Sequence, residues 1–552
     1  MMNLLIDQWI PVQRKDGTRD IISPLDLLSD SPENPVKSIA TIRPDFDGAV
    51  LQFLIGLYQV LFSPGDTDEW RELLDSPPTV ESLQERIDLL KPAFIPDGPD
   101  HRFMQDSSAK DSKPEDPDDP GEPKKIQNLL IEGNDSSSRH FFKEGRIQHL
   151  CPTCAVMALM TLQLNAPGGG RGHMTSLRGG GPLTTLVCVP DEQTTLWKTV
   201  LLNLISTDTF PSKYDLDVKS SVIEKIFPWL GILPNSEKGD VIVPKDMHPY
   251  HVYWNVPRRI FLNFEDTTSG YCDLCGEKSE GLLSKYWTLG KGIKYDSWIH
   301  PLTPYYVTTD DMTGNKLAPV HGSEKGVTYA NWIGIVMGSS DTRGIPASVV
   351  QTLPDRLYKD PEYPELKVHV FGYEMAKAKP RSWLDELLPT IMVPREFRAA
   401  FFNEVSRFVI TASNILSVLI AKIKEGYTCR PEDLKKGKFS DVRISFWHQT
   451  ESAFYSALEM LTTSIPADAL RSDELHPMTD EVKKSWLTEM RDVTISLFKE
   501  RVTFPINGGA NPGLSAHAEI ALRFYLSNNN PKVCKSLGLP APKKGTKRKV
   551  KK

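Results

Sequence analysis

Long apolar runs are missing from this chain. Nothing among its 552 residues approaches the length needed to cross a bilayer, and Met2–Trp9 lacks the basic n-region and cleavage site of a secretory leader. A cytoplasmic protein without membrane contact is expected. The common catalytic signatures are missing too: there is no Gly-x-x-x-x-Gly-Lys-Ser/Thr loop, no His-Glu-x-x-His helix and no Gly-x-Ser-x-Gly elbow. His173, His248, His251 and His300 are scattered through loop-like contexts. These absences argue against nucleotide hydrolysis, helical zinc proteolysis and serine hydrolysis, so a binding protein rather than an enzyme is expected. Positive charge is not in excess either, with 65 Lys and Arg against 71 Asp and Glu and a net charge of −6. Any nucleic acid must then be met by local basic patches, or beside a partner that supplies more charge.

Cysteine is scarce, with seven in the chain, yet four of them form two Cys-x-x-Cys pairs, Cys151/Cys154 and Cys272/Cys275. Each pair has the spacing of a zinc knuckle, and four thiolates close a tetrahedral site without leaving a position for water or substrate. The expected cofactor is a structural Zn²⁺ held by Cys151, Cys154, Cys272 and Cys275, with Gly276 allowing the tight turn after the second pair. A redox Cys-x-x-Cys needs a βαβ context and only one pair, which makes that reading the weaker one.

Composition is that of a globular protein, 39% hydrophobic and 25% charged, and the length allows about two to four domains. Strand patterns open the chain at Leu4–Ile6 and Trp9–Val12, and helical periodicity follows over Gly48–Leu61 and Thr79–Leu90. Residues 106–148 begin acidic and proline-punctuated, at Pro114, Pro117, Pro120 and Pro123, and are expected to be a mobile surface loop with a short helix near Ile126–Ile131. Cys154–Leu164 is apolar all round and reads as a buried helix. Strands are expected at Phe261–Phe264 and Lys367–Phe371. From about Pro394 the period changes, and Glu396–Lys424, Ser440–Thr463, Asp480–Arg501 and Leu514–Leu526 read as amphipathic helices. The fold class is therefore α+β. A large mixed α/β domain over 1–390 carries the zinc site, an antiparallel four-helix bundle follows over 391–530, and 531–552 form a basic disordered tail.

Three segments bear on binding. Gly168, Gly169, Gly170, Arg171 and Gly172, followed by Arg178 in a second glycine run, offer backbone amides and guanidinium groups to phosphates or base edges; a structural glycine turn with solvated arginines is the plain alternative. Lys285, Tyr286, Trp287, Lys291 and Lys294 interleave cations with aromatics as nucleic-acid surfaces do, and a solvated strand face is the alternative there. Gly372–Pro380 reads as an exposed loop carrying Lys377 and Lys379.

Taken in order, Asn3–Val12, His101–Gln105, Cys151/Cys154, Asn165–Gly168, Ser176–Gly180 with Pro182, Thr184 and Thr185, Cys272/Cys275 with Gly276, and His448 through Phe454 and Tyr455 resemble the CasA large subunits of type I-E CRISPR surveillance complexes, Cascade. The resemblance implies a non-catalytic subunit that sits at the crRNA 5′ end, reads the protospacer-adjacent motif (PAM) in double-stranded DNA, starts strand separation and recruits a helicase-nuclease. Its partners would be crRNA, target DNA and the other Cascade subunits. The family's glycine loop falls on Gly168–Gly172, with Arg171 among the small residues. Its lysine finger falls on Lys285 or Lys291, between which the sequence does not choose. Its wedge falls on Gly372–Lys379, where Ala376 and Lys377 replace amide residues, and an altered PAM preference is expected. Phe141 or Phe142 is the implied crRNA or subunit contact, with Arg178 beside them in that role. A zinc-containing HNH-like nuclease and a structural scaffold without DNA readout are the alternatives.

Overall fold

The computed structural model describes residues 2–111, 123–134, 145–170, 172–190, 194–211, 215–310, 314–338, 344–357, 360, 363, 365–376, 379–394, 397–427, 439–463, 479–503 and 511–540. Arg171, Phe141, Phe142, Lys377, the acidic stretch 112–122 and the basic stretch 541–552 lie outside them. The chain divides into two compact units, one of residues 1–324 and 343–390, the other of 325–342 and 391–552.

In the first unit the helix Pro44–Leu61 forms the centre. Pro44 sits at its first turn, where a missing N–H costs nothing, and Asp45 and Asp47 complement the positive end of its dipole. Nearly every residue of this helix is buried. Phe53 makes edge-to-face contacts with Trp9, Phe94, Phe103 and Trp254 at centroid distances of 5.4 to 6.0 Å. Gly48 lets the sheet approach, since a Cβ there would lie 2.7 Å from the Phe371 ring.

Among the described residues around this helix, the strands, most of them short, are distributed among five small antiparallel sheets. Two of them frame the candidate site. One has the order Lys379–Pro389, Lys367–Ala376, Thr184–Cys188; the other has the order Lys124–Lys125, Lys285–Leu289, Arg259–Leu262. The strand foreseen over Lys367–Phe371 continues to Ala376, paired with Lys379 at the tip of a hairpin. Gly372–Ala376 is thus strand and not an exposed loop, and Tyr373 is 1% exposed.

Two expectations of disorder need correcting. Within 106–148 the short helix expected near Ile126–Ile131 is present as 3₁₀ turns at 126–129 and 131–134, but with Ile126, Leu129, Leu130 and Ile131 buried it is docked and not a mobile surface loop. Within the basic tail, Pro531–Leu537 is a helix capped by Asn530, and Val533, Cys534 and Leu537 are buried.

The second unit is helical. Arg398–Gly426, Ser440–Gln449, Glu451–Thr463, Thr479–Thr503 and Pro512–Tyr525 cover the foreseen segments, the second of them broken at Thr450. Tyr329, from the stretch 325–342, stacks on Phe454 at 4.4 Å and shares a hydrogen bond with Thr450. Contrary to the expectation of no long apolar run, Arg398–Gly426 is long and apolar enough to cross a membrane by length and composition alone. Its apolar side is used inside this unit, with Phe401, Val405, Phe408, Ile415, Leu419 and Ile423 buried.

Candidate metal centre and nucleic-acid interface

Cys151 is the N-cap of the helix Pro152–Asn165, and its sulfur accepts a hydrogen bond from the Cys154 N–H at 3.4 Å. The second pair lies in the connection between strands Thr268–Tyr271 and Lys278–Leu282, where Cys272 donates its N–H to Glu277 O and Gly276 adopts φ 78°. Asp273 ties the two segments together. Its carboxylate accepts the Gln148 and His149 N–H groups at 2.7 and 2.8 Å, and its own N–H donates to His149 O at 3.0 Å. The four sulfurs consequently lie within 4.8 Å of one another, with Cys151 Sγ and Cys275 Sγ 3.8 Å apart. Metal–sulfur bonds of about 2.3 Å in a tetrahedral site require sulfur–sulfur edges of about 3.8 Å, so the quartet can hold a metal ion. Hydrogen bonds from Cys151 and then Cys154 lower the Cys272 thiol below its ordinary pKa, while its contacts with Cys151 and then Cys272, and burial, push Cys154 up. A cation held by the quartet would favour ionisation of its thiols.

At its other end the same helix delivers the chain into the glycine loop. Gly168, Gly169 and Gly170 are exposed, and Gly170 and Gly172 take φ of 68° and 76°, where a side chain would be strained. The Gly172 carbonyl accepts the Lys291 N–H at 2.7 Å, and a Cβ on Gly172 would lie 2.7 Å from that nitrogen. Lys291 itself has φ 57°, an uncommon conformation for a lysine, and its carbonyl accepts the Ser236 N–H at 3.0 Å. Backbone contacts on both sides thus hold an exposed lysine beside the glycine loop.

The second glycine run continues this neighbourhood. Ser176 N–H donates to Ala166 O and Gly181 N–H to Asn165 O, at 3.1 Å each. A Cβ on Gly180 would lie 3.0 Å from Pro167 Cα, and one on Gly181 would lie 2.5 Å from Met375 Cγ. The loop at 168–172, Lys291 and the hairpin ending at Ala376 are therefore linked by direct contacts.

Other expected residues fall elsewhere. Lys285 is exposed but pairs with Lys125, two residues beyond the Leu150–Leu283 bridge that leads to the cysteines. Its aromatic neighbours are structural: Tyr286 is 3% exposed and donates to Asn128 O, and Trp287 packs on Phe261. Arg178 corrects the expectation of a crRNA or subunit contact. It is 1% exposed, and its guanidinium donates to Thr184, Thr303 and Gln52 at 2.9, 3.0 and 2.7 Å. Burial lowers its pKa to about 10.

One cation near the loop was not foreseen. Arg258 is 4% exposed, donates to the Pro167 carbonyl and lies where a Cβ on Gly169 would come within 2.7 Å of its Nη1. It places positive charge directly beneath Gly169, and nothing in its sequence surroundings signals that role. An exposed loop backed by Arg258 and flanked by Lys291 can attract an anion and admit a close backbone approach.

Comparison with known proteins agrees with this architecture. Structures similar to it include CasA of Thermus thermophilus, at 16% identity and a TM-score of 0.67 over 97% of this chain and 99% of that one. Cse1 of Thermobifida fusca matches at 15% identity and 0.67 over 97% and 98%. A chain of a solved CRISPR RNA-guided surveillance complex matches at 12% identity and 0.66 over 95% and 99%. The family model for the CRISPR-associated protein Cse1 matches residues 3–497, and the chain belongs to that family.

Proposed function

We propose that this chain is the non-catalytic large subunit of a cytoplasmic type I-E CRISPR RNA-guided surveillance complex, and that it recognises the PAM in double-stranded DNA. In this reading Lys291 is the finger, Gly168, Gly169, Gly170, Arg171 and Gly172 form the loop against the DNA backbone, and the hairpin tip at Ala376 and Lys377 is the wedge that starts strand separation. The observation that carries it is the Gly172–Lys291 backbone contact, which supports reading Lys291 rather than Lys285 as the finger. A lysine there would contact phosphates or the minor-groove edge, while base pairing with crRNA tests the target sequence. Lys377 would bring charge to the parted strands in place of an amide. Phe141 or Phe142 would meet crRNA or a neighbouring Cascade subunit, and a helicase-nuclease would be recruited once the strands part.

The metal would be Zn²⁺ in a structural role, because four thiolates leave no open position for the water that a metal-dependent nuclease needs. The second unit is read as the family's four-helix bundle, its helices antiparallel.

The test is binding of duplexes with randomised bases flanking a guide-matched target to crRNA-loaded assemblies with and without the chain, at fixed salt. A flank preference that requires the chain is expected, and Lys291→Ala should weaken binding to preferred flanks about tenfold. Lys285→Ala should change it less than about twofold. Flank-independent binding in both assemblies would overturn the reading and leave a scaffold.

A further inference from the structure

Behind the hairpin four ionisable side chains meet in a buried cluster. Arg43, the N-cap of the helix Pro44–Leu61, donates to both oxygens of Asp45 at 2.8 Å each and to both oxygens of Glu132 at 2.8 and 2.9 Å. Tyr373, on the hairpin strand, donates its hydroxyl to Asp45 Oδ2 at 2.5 Å and lies 3.3 Å from Glu132 Oε1. Asp45 and Tyr373 are 2% and 1% exposed.

Two features separate this cluster from an ordinary structural ion pair. It holds two carboxylates against one guanidinium, and a single phenol proton faces both, so Tyr373 can satisfy one carboxylate well only at the other's expense. Burial accordingly raises the Glu132 carboxyl above its ordinary pKa, against the pull of Arg43 and with repulsion from Asp45 adding to it. The cluster also borders a cavity of about 190 Å³, lined by Arg43, Asp45, Glu132, Tyr373, Pro380 and Trp383. The hydroxyl therefore has an alternative partner and the side chains have room to move.

The cluster's position gives this alternative a consequence. Tyr373 is two residues from Met375, whose side chain abuts Gly181, and it pairs with Trp383 across the hairpin. Glu132 lies in the docked turn 131–134, nine residues before Phe141 in sequence. We infer that Arg43, Asp45, Glu132 and Tyr373 form a positioning device that couples engagement of crRNA near Glu132 to the setting of the DNA-facing hairpin, Tyr373 being the positioning residue. The inference rests on the proposed function for its two ligands. The coupling itself is a property of the cluster. A pull on Glu132 would return the Tyr373 proton fully to Asp45 and shift the hairpin, whereas a settled Glu132 would share it.

The experiment uses the full chain, free and assembled with crRNA and the other subunits, as wild type, Glu132→Gln, Tyr373→Phe and the double variant. Amide hydrogen exchange in 367–376 and 379–389 reads the hairpin without reference to DNA, and the randomised-flank assay reads recognition. In the wild type, assembly should slow hairpin exchange about tenfold. Each single variant should reduce that effect to under about twofold while leaving assembly within about twofold, and the double variant should be no worse than either single one. Flank preference should fall in parallel. Unchanged exchange in both single variants, or additive effects in the double, would overturn the coupling. Tyr373→Phe keeps the ring and its packing, so the inference is still decided if Glu132→Gln fails to fold. A wild type without flank preference but with crRNA-dependent hairpin exchange that the variants abolish would sink the proposed function and retain the coupling.

Discussion

The two units satisfy their buried backbones in opposite ways. In the first, loops pass through the core, and buried amide side chains take the place of regular hydrogen-bond ladders. Gln59 bonds both the N–H and the carbonyl of Ile205, Asn203 does the same for Val187 at 2.7 Å each, and Gln163 reaches the Met104 carbonyl while holding both backbone groups of Arg258. In the second, long helices satisfy their own backbone, and what remains to be buried is mainly an apolar stripe, as with Phe408 packed edge-to-face on Trp486. The difference teaches that a fold which passes irregular loops through its core places polar side chains inside, where a helical unit places leucines and aromatics.

The strongest way to break this comparison is at the cysteines. A chelator, or Cys272→Ser, should unfold the first unit or lower its melting transition by far more than any other change here, since metal binding to four thiolates is worth on the order of 10 kcal/mol, and should leave the helical transition in place. Calorimetry paired with metal analysis checks this, and equal loss of both transitions would erase the distinction. Trp486→Ala should reverse the pattern, costing the second unit about 3–5 kcal/mol by denaturant titration. Gln163→Leu keeps volume but strands the Arg258 N–H and two carbonyls, and should cost the first unit about 2–4 kcal/mol. A neutral outcome there would mean that water replaces the amide.

Acid tests the first unit one histidine at a time. Burial lowers His248 and His251 to about 4, and holds His300 well below its ordinary value. Between pH 6.5 and 4 the unfolded chain binds protons that the folded first unit refuses, so its stability falls as pH falls through that window and is constant above it with respect to these groups. At pH 5 the loss should be on the order of 2 kcal/mol per histidine. His251→Gln should flatten the slope of the melting temperature against pH.

How much of this was legible depended on how local each signal is. The cysteine quartet could be read because each half is a four-residue motif, and Pro152–Asn165 because its side chains are apolar on every face. Arg178 could not, because its partners Gln52, Thr184 and Thr303 come from distant parts of the sequence, and an arginine among glycines looks solvated until they assemble. Lys285 and Lys291 were not distinguishable for the same reason, since the contact of Lys291 with Gly172 joins distant parts of the chain. The short helix near Ile126–Ile131 was legible from its local apolar residues, but their docking was not, because the partners that bury them lie elsewhere in the sequence.

The helix Pro152–Asn165 has the cysteines at one end and the glycine loop just past the other, and its 14 residues make a rod about 21 Å long. Its length is therefore a setting. Adding or deleting one residue would swing Gly168–Gly172 by about 100° and displace it about 1.5 Å relative to the clamped end, taking it off Lys291. Side chains along the rod can be exchanged for others of like volume, but its count of residues cannot drift.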